Sequence, residues 1–463
     1  MSKSITELLT ERSGENFDLH DKHLNTQMVR VLKTIGYDRV YTKARGPYLY
    51  DNKGDEYLDL LSGFGVFALG RNHPTIVQAL KDVLDAELPD LVQMDASLLS
   101  GVLAEKILST CPPNLTKMFF CNSGAEAVEA AIKFARYTTK REKILYCEHA
   151  FHGLTTGALS LNGEHLFREG FGPLLPGCVD VPFNDLPALE RALSGKDIAA
   201  FIVEPIQGKG VNLPAQDYLK EVQRLCKHYG TLFVADEIQC GIARTGKFWA
   251  IEHYGAEPDM ILMAKALSGG FIPVGAVAMT DQIMNAVFNR MDRAVVHGST
   301  FSKNNMAMAA GIASLQVIED EKLVANAATI GGEIIAGLQA MVPKYDFLKQ
   351  VRGKGLMIAV EFGSPDGFLR KAAFAGLEAA NKGLFSQTVT IPLFKNHRIL
   401  SQVAGHGMNV VKFLPPLVVT TKDRDWILSA MDQVIADTQE VGGAIKDLGK
   451  NLISHALKQK AGG

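Results

Sequence analysis

The run Thr231-Leu232-Phe233-Val234-Ala235-Asp236-Glu237-Ile238-Gln239-Cys240-Gly241 constrains the fold more than any other stretch of this chain. Mostly apolar residues that end on an acid read as a buried parallel strand with Asp236 at its C-terminal end. Open α/β sheets bind their ligands at that end. A second apolar run, Met260-Ile261-Leu262-Met263-Ala264, delivers Lys265 ahead of Ala266-Leu267-Ser268-Gly269-Gly270. Two neighbouring strands would thus present a carboxylate and an amine to one ligand. Most lysines are solvated, and most strand-end acids act as caps or hydrogen-bond acceptors. Lys265 departs from that pattern because it follows an apolar run and precedes glycines.

The text on either side alternates strand-like and helix-like segments from residue 98 to about 320. Met118-Phe119-Phe120, Ile144-Leu145-Tyr146 and Ala199 to Val203 read as further strands, and Gly124 to Tyr137 as a helix. This is the βα rhythm of a largely parallel sheet flanked by helices. Upstream, residues 4–35 are partly helical, Tyr48 to Asp59 is a hairpin around Asn52-Lys53-Gly54, and His73-Pro74 opens a helix reaching about residue 86. Downstream, a long helical stretch precedes Phe347. Val351 to Phe362 reads as a strand, 366–383 as a helix, Val410 to Phe413 as a strand, and a terminal amphipathic helix closes a small α+β unit. Lys458 to Gly463 reads as a frayed end. The expected division is 1–95 (N-terminal segment and part of a small domain), 96–330 (large domain) and 331–463 (C-terminal small α+β domain).

With 463 residues, 47% hydrophobic and 21% charged, the chain can bury a large core. A net charge of −2 argues against broad nucleic-acid binding. The six cysteines include no CxxC pair, which favours a reducing compartment and gives neither a zinc site nor a disulfide framework. Met1 to Phe17 has no apolar signal core, and no uninterrupted apolar run approaches the ~18 residues of a membrane helix. A soluble cytoplasmic protein, with no membrane or nucleic-acid partner, is expected.

The chemistry lies in a few short motifs. Asn122-Ser123-Gly124-Ala125-Glu126 joins a strand to a helix, so free N–H groups and the positive dipole end meet there, as suits a phosphate. The same residues also fit an ordinary N-cap with Glu126 completing a capping box. Phe151-His152-Gly153 could lay a ring against a flat ligand or simply be core beside a surface histidine. Glu204-Pro205-Ile206-Gln207-Gly208 ends another strand on an acid that could orient a site or begin a turn. An aldehyde cofactor with a basic ring nitrogen needs what Lys265 and Asp236 offer, an amine for an imine and a carboxylate for the ring.

In this order, Asn-Ser-Gly-Ala-Glu-Ala, Phe-His-Gly, Glu-Pro-Ile-Gln-Gly, Asp-Glu-Ile-Gln-x-Gly, Ala-Lys-Ala-Leu-x-Gly-Gly and His-Gly-Ser-Thr-Phe, the motifs resemble the class III pyridoxal-phosphate aminotransferases over residues 45 to 435. That group includes ornithine, acetylornithine and 4-aminobutyrate aminotransferases and the ω-transaminases. The resemblance implies fold type I, a large α/β domain plus a small α+β domain built from both chain ends, and a homodimer or higher homo-oligomer with sites at the interface. It implies that Lys265 carries the cofactor and moves protons, and that Asp236 pairs with the ring nitrogen. Gln239 would lie by the phenolic oxygen, Phe151 would stack on the ring, and His152 and Glu204 would complete its surroundings. Ser123, Gly124 and Ala125 would hold the phosphate with Thr300 from a partner subunit. Small-molecule amines and carbonyl compounds are the implied substrates.

The chain departs from the family on the substrate side. Lys412 stands where members that handle α-amino acids carry a carboxylate-binding arginine, and Lys209 where a glutamate is often found. Lys412 could bind a carboxylate as a point charge or be a solvated strand-end lysine. Phe301-Ser302-Lys303-Asn304-Asn305 replaces the usual Phe-Gly-Gly-Asn-Pro. Phe64, Val66, Phe67 and Met94 align with a pocket-forming segment and favour an apolar primary amine, although they could equally be domain core. Ornithine-type transamination, a decarboxylase, an aminomutase and a non-catalytic paralogue are the rival readings on this scaffold. A P-loop rival rests on Gly241-Ile242-Ala243-Arg244-Thr245-Gly246-Lys247, where Phe248 replaces the magnesium-binding Ser/Thr.

Overall fold

The computed structural model describes residues 3–92 and 94–440; the expected frayed end, Lys458 to Gly463, lies outside them. Seven strands form the central sheet: β1 (Lys117–Cys121), β2 (Lys143–Cys147), β3 (Cys178–Val181), β4 (Ile198–Val203), β5 (Leu232–Asp236), β6 (Met260–Met263) and β7 (Gly275–Met279). Their order across the sheet is β1-β7-β6-β5-β4-β2-β3, and only β7 runs antiparallel to its neighbours. Every residue of β4, β6 and β7 is buried, as expected for strands covered on both faces. The fold is therefore the expected α/β architecture, a mostly parallel sheet flanked by helices.

Two smaller four-stranded sheets flank it. The hairpin Tyr48–Asp51 and Glu56–Asp59 joins Tyr41–Arg45 and, from the far end of the chain, Ile399–Leu400, which pairs parallel to Glu56–Asp59. Leu348–Lys354, Met357–Phe362, Val410–Phe413 and Gln402–Val403 form the other. The segment 351–362, expected as one strand, is a hairpin with Lys354 paired to Met357. Gly355 makes the reversal at φ 53, a conformation that glycine adopts without a Cβ penalty.

The helix Leu323–Gln339 straddles the expected boundary at residue 330. It packs on the strand Leu348–Lys354 and on the C-terminal helix Thr421–Glu440, which ties it to the C-terminal unit. The segment Leu323–Lys344 is long and apolar enough to cross a membrane by length and composition. Its apolar face is nevertheless committed, with Leu323, Ala327, Ile330, Ile334 and Leu338 all buried. Gly241 to Lys247 forms turns that lead to a short 3₁₀ helix at Ala250–Tyr254. No α-helix starts after this segment to receive a phosphate, so the P-loop reading fails.

Candidate active site

Six strands point their C-terminal ends to one edge of the sheet, and antiparallel β7 begins there. Ser123 follows β1 by two residues, Phe151 and His152 follow β2, Glu204 follows β4, Asp236 ends β5, and Lys265 follows β6. A cavity of about 420 Å³ opens at this edge, with Ser123, Gly124, Ala125, Phe151, His152, Lys265 and Val66 on its wall.

Ser123 is the N-cap of the helix α1 (Gly124–Thr139), and its Oγ accepts from Glu126 N at 3.2 Å. Glu126 does not close a capping box on Ser123; its carboxylate accepts from Asn122 N at 2.7 Å instead. The N–H groups of the first helical turn have no acceptor within the helix, and Gly124 and Ala125 face the cavity. The approach is tight, since a Cβ on Gly124 would come within 2.9 Å of Ile238. A Cβ on Gly275 would collide with the Ser123 carbonyl. Gly275→Ala should therefore displace the α1 entry turn, with a stability cost of about 1–3 kcal/mol. Cofactor affinity should fall with it, as equilibrium dialysis would measure; wild-type affinity would rule out a phosphate role for this turn.

Asp236 is 2% exposed, and its Oδ2 lies 2.6 Å from Nδ1 of the equally buried His152. Its other oxygen accepts from Ile238 N at 3.0 Å. Asp236 does not itself line the cavity, but both of its partners do. Burial lowers the His152 pKa, and the hydrogen bond and charge of Asp236, with Glu204 behind it, outweigh that, so the net shift is upward. His152 Nε2 has no partner among the described residues. Glu204 is buried, accepting from Phe151 N at 3.0 Å and Gly208 N at 2.7 Å; burial raises its pKa.

Lys265 sits at φ 42, a left-handed conformation unusual for a side chain that long. Burial lowers its pKa, and Asp236 and Glu204 oppose that from a distance. Gln239 donates to Phe64 O at 3.0 Å and accepts from Lys412 Nζ at 3.3 Å. Lys412 is 4% exposed, which removes the solvated strand-end reading. Lys209 is buried as well, with Nζ 4.4 Å from the centre of the Phe167 ring and 5.5 Å from that of Phe151.

The other expected residues lie apart. Phe64 and Met94 are exposed and Phe67 is packed under Arg71 and against Gly270; none of the three lines the cavity. Thr300 is exposed and is likewise absent from this chain's cavity wall. Sequence reasoning missed Ile238 and Phe271 to Val274, which form much of the wall. The apolar run Val274 to Met279 was the available signal for β7.

An amine, an acid behind a histidine, an aromatic ring and a helix N-terminus around one cavity define a site for a phosphorylated aromatic aldehyde. Residues 33–435 match the family described as aminotransferase class-III, and the chain belongs to it. It is 37% identical to the acetylornithine aminotransferase of Bacillus cereus over 398 residues, 85% of this chain and 94% of that one. It is 34% identical to the aminotransferase PigE of a Serratia species over 452 residues, 91% of this chain; it spans only 53% of PigE. Ornithine aminotransferase from Toxoplasma gondii, a structure with pyridoxal phosphate at its active site, superposes with a TM-score of 0.80 at 29% identity, covering 95% of this chain and 99% of that one. The protein is a pyridoxal-phosphate-dependent aminotransferase, and the desolvated Lys265 amine, the unpartnered His152 Nε2 and the glycine-lined helix entry fit that cofactor.

Proposed function

We propose that this enzyme takes the amino group of an apolar primary amine or ω-amino compound and gives it to a 2-oxo acid or related carbonyl acceptor. The observation that carries the donor class is the cavity wall: Val66, Ile238, Phe271, Ile272, Pro273 and Val274 line it, and among the described residues no arginine does. A planar guanidinium is the usual bidentate grip on a carboxylate, and Lys412 stands in its place.

When bound, pyridoxal phosphate supplies the carbonyl carbon at which amines exchange and a ring that accepts electrons. Lys265 Nζ would hold the cofactor and would move the proton of the amine-bearing carbon. Burial favours its neutral form, the form that can accept a proton. Asp236 fixes His152 at the cavity, Phe151 would offer an aromatic face to the cofactor, and Glu204 fixes the Phe151 backbone. Ser123, Gly124 and Ala125 receive the phosphate, and Gln239 orients polar groups between Phe64 and Lys412.

The same proposal includes a cytoplasmic homodimer, with Thr300 serving the partner's cavity. Its support is that Thr300 lies off this chain's own cavity while neighbouring Phe301 is 65% exposed and Met94 is 84% exposed. A donor panel on purified holoenzyme, read by cofactor absorbance after each half-reaction, tests the donor class. Aliphatic primary amines should exceed ornithine in kcat/KM by at least about tenfold. The reverse order would establish the ornithine or acetylornithine reading, which the names of the relatives favour.

A further inference from the structure

An arginine is seldom enclosed in a core, because its charge must exchange water for whatever acceptors the fold supplies. Arg244, in the turns after β5, is 1% exposed. Burial lowers its pKa to about 9, so it stays a cation at neutral pH. Its Nη1 donates to two backbone carbonyls, Leu356 O at 3.2 Å and Pro415 O. The first belongs to the hairpin turn at Gly355, and the backbone returns the contact, with Leu356 N donating to Arg244 O at 3.0 Å. A Cβ on Gly355 would collide with the Thr245 backbone, so that turn sits directly on the Arg244 loop. The second carbonyl lies in the crossing 414–417, immediately beyond the strand Val410–Phe413.

The crossing in turn holds a strained element. Leu414 N donates to Leu60 O at 2.8 Å and Leu417 N to Ala68 O at 2.6 Å, one on each side of residues 61–67. Between those two bonds the chain winds left-handed, with φ 48 at Ser62, 58 at Gly63, 60 at Phe64 and 92 at Gly65. Consecutive left-handed residues are disfavoured because each Cβ crowds the following carbonyl, and Ser62 and Phe64 both carry one. Such backbone persists only where its surroundings over-determine it. From within, Asp59 Oδ1 accepts from Leu61 N at 3.0 Å and Ser62 N at 2.8 Å, and Phe67 N donates to Ser62 O at 3.0 Å. From outside come the crossing and Gln239, whose Nε2 donates to Phe64 O at 3.0 Å. The turn leads directly into Val66, on the cavity wall.

We propose that Arg244 is a positioning residue for the amine donor: through the crossing 414–417 it keeps the turn Ser62–Gly65 wound, and with it Val66 on the wall. The assignment rests on the reading that the donor lies against the apolar wall. Arg244 itself is not on that wall. Without the guanidinium, the carbonyls of Leu356 and Pro415 lose their donor, the crossing gains freedom, and the turn relaxes out of the left-handed region. Ser123 and Lys265 follow β1 and β6 and stay in place. Donor binding should therefore suffer before cofactor binding does.

Hydrogen exchange on the holoenzyme tests the mechanical step. In Arg244→Met the amides of residues 61–68 should exchange at least about tenfold faster, while those of β4 and β5 stay within about twofold. In single turnovers with n-hexylamine, read by cofactor absorbance, the apparent donor constant should rise at least about tenfold, with the limiting rate and the cofactor affinity within about threefold. Arg244→Lys, which keeps the charge but not the planar fork, should show smaller losses in the same order, and it decides the matter should the methionine variant not fold. In the Arg244→Lys background, Phe64→Gly should recover at least about threefold of the donor loss, because glycine takes a left-handed φ at little cost. Phe64→Ala, which keeps a Cβ, should recover none of it. Wild-type exchange over 61–68 in both Arg244 variants, or a donor loss that Phe64→Gly leaves untouched, overturns the assignment. Failure of the donor class would show instead in the wild type, as no bleaching of the cofactor by n-hexylamine, with the exchange result unaffected.

Discussion

Lys265→Ala should lower transamination by at least about 10⁴-fold, the upper range for a positioned acid–base group, while leaving the apoprotein as stable as the wild type. The two outcomes come from the same residue. Lys265 lies on the cavity wall with its amine partly desolvated and its backbone at φ 42. That conformation costs an L-residue about 1–2 kcal/mol, and the alanine variant retains it without having to bury an amine. Lys265→Gly should relieve the strain as well and match or exceed the wild-type melting temperature. Borohydride should no longer fix the cofactor to either variant. Lys412 complicates the residual rate, because it is a second buried amine, close enough for the Lys265 charge to act on it. Any remaining turnover should therefore vanish in Lys265→Ala/Lys412→Met. A single variant within tenfold of wild type would remove Lys265 from the chemistry.

The sequence made the frame of this site legible because each strand announces itself. Asp236 and Lys265 each close a short apolar run, so their shared edge could be read before their contacts could. β7 escaped notice because Gly275-Ala276-Val277-Ala278-Met279 is built mostly of small residues with a single β-branched side chain, and its antiparallel return brings Phe271 to Val274 into the wall. The 351–362 hairpin read as one strand because the apolar arm Met357–Phe362 dominates the stretch and the turn is marked by Gly355. The burial of Lys412 could not be read at all. It depends on the Gly208 loop, Gln239 and the strand Val410–Phe413 meeting in space, and a lysine in a strand is no guide to that. The His152–Asp236 pair was hidden for the same reason, since each motif suggested a role and neither suggested the other.

Asp236→Asn should lower kcat by about 10²–10³-fold, the usual loss when one preorganised electrostatic partner is removed, with a stability loss that depends on pH in a defined direction. Asparagine keeps the shape and can still bond His152 Nδ1, but it cannot stabilise a cationic ring. The His152 pKa is raised in the folded protein above its ordinary 6.5. The charge-dependent part of the pair's stabilisation is thus fully present below pH 6.5 and is lost as pH rises through the folded His152 value. Wild type should exceed Asp236→Asn in melting temperature most near and just below pH 6.5, and the gap should narrow as pH rises above it. Asp236→Ala should be worse at every pH, costing about 3–5 kcal/mol, because His152 Nε2 has no partner to begin with and Nδ1 would lose its own. The readouts are denaturant or thermal unfolding against pH and single-turnover rates with a competent amine. A pH-independent stability gap would mean that His152 stays neutral beside Asp236, and wild-type kcat in Asp236→Asn would remove the acid from catalysis.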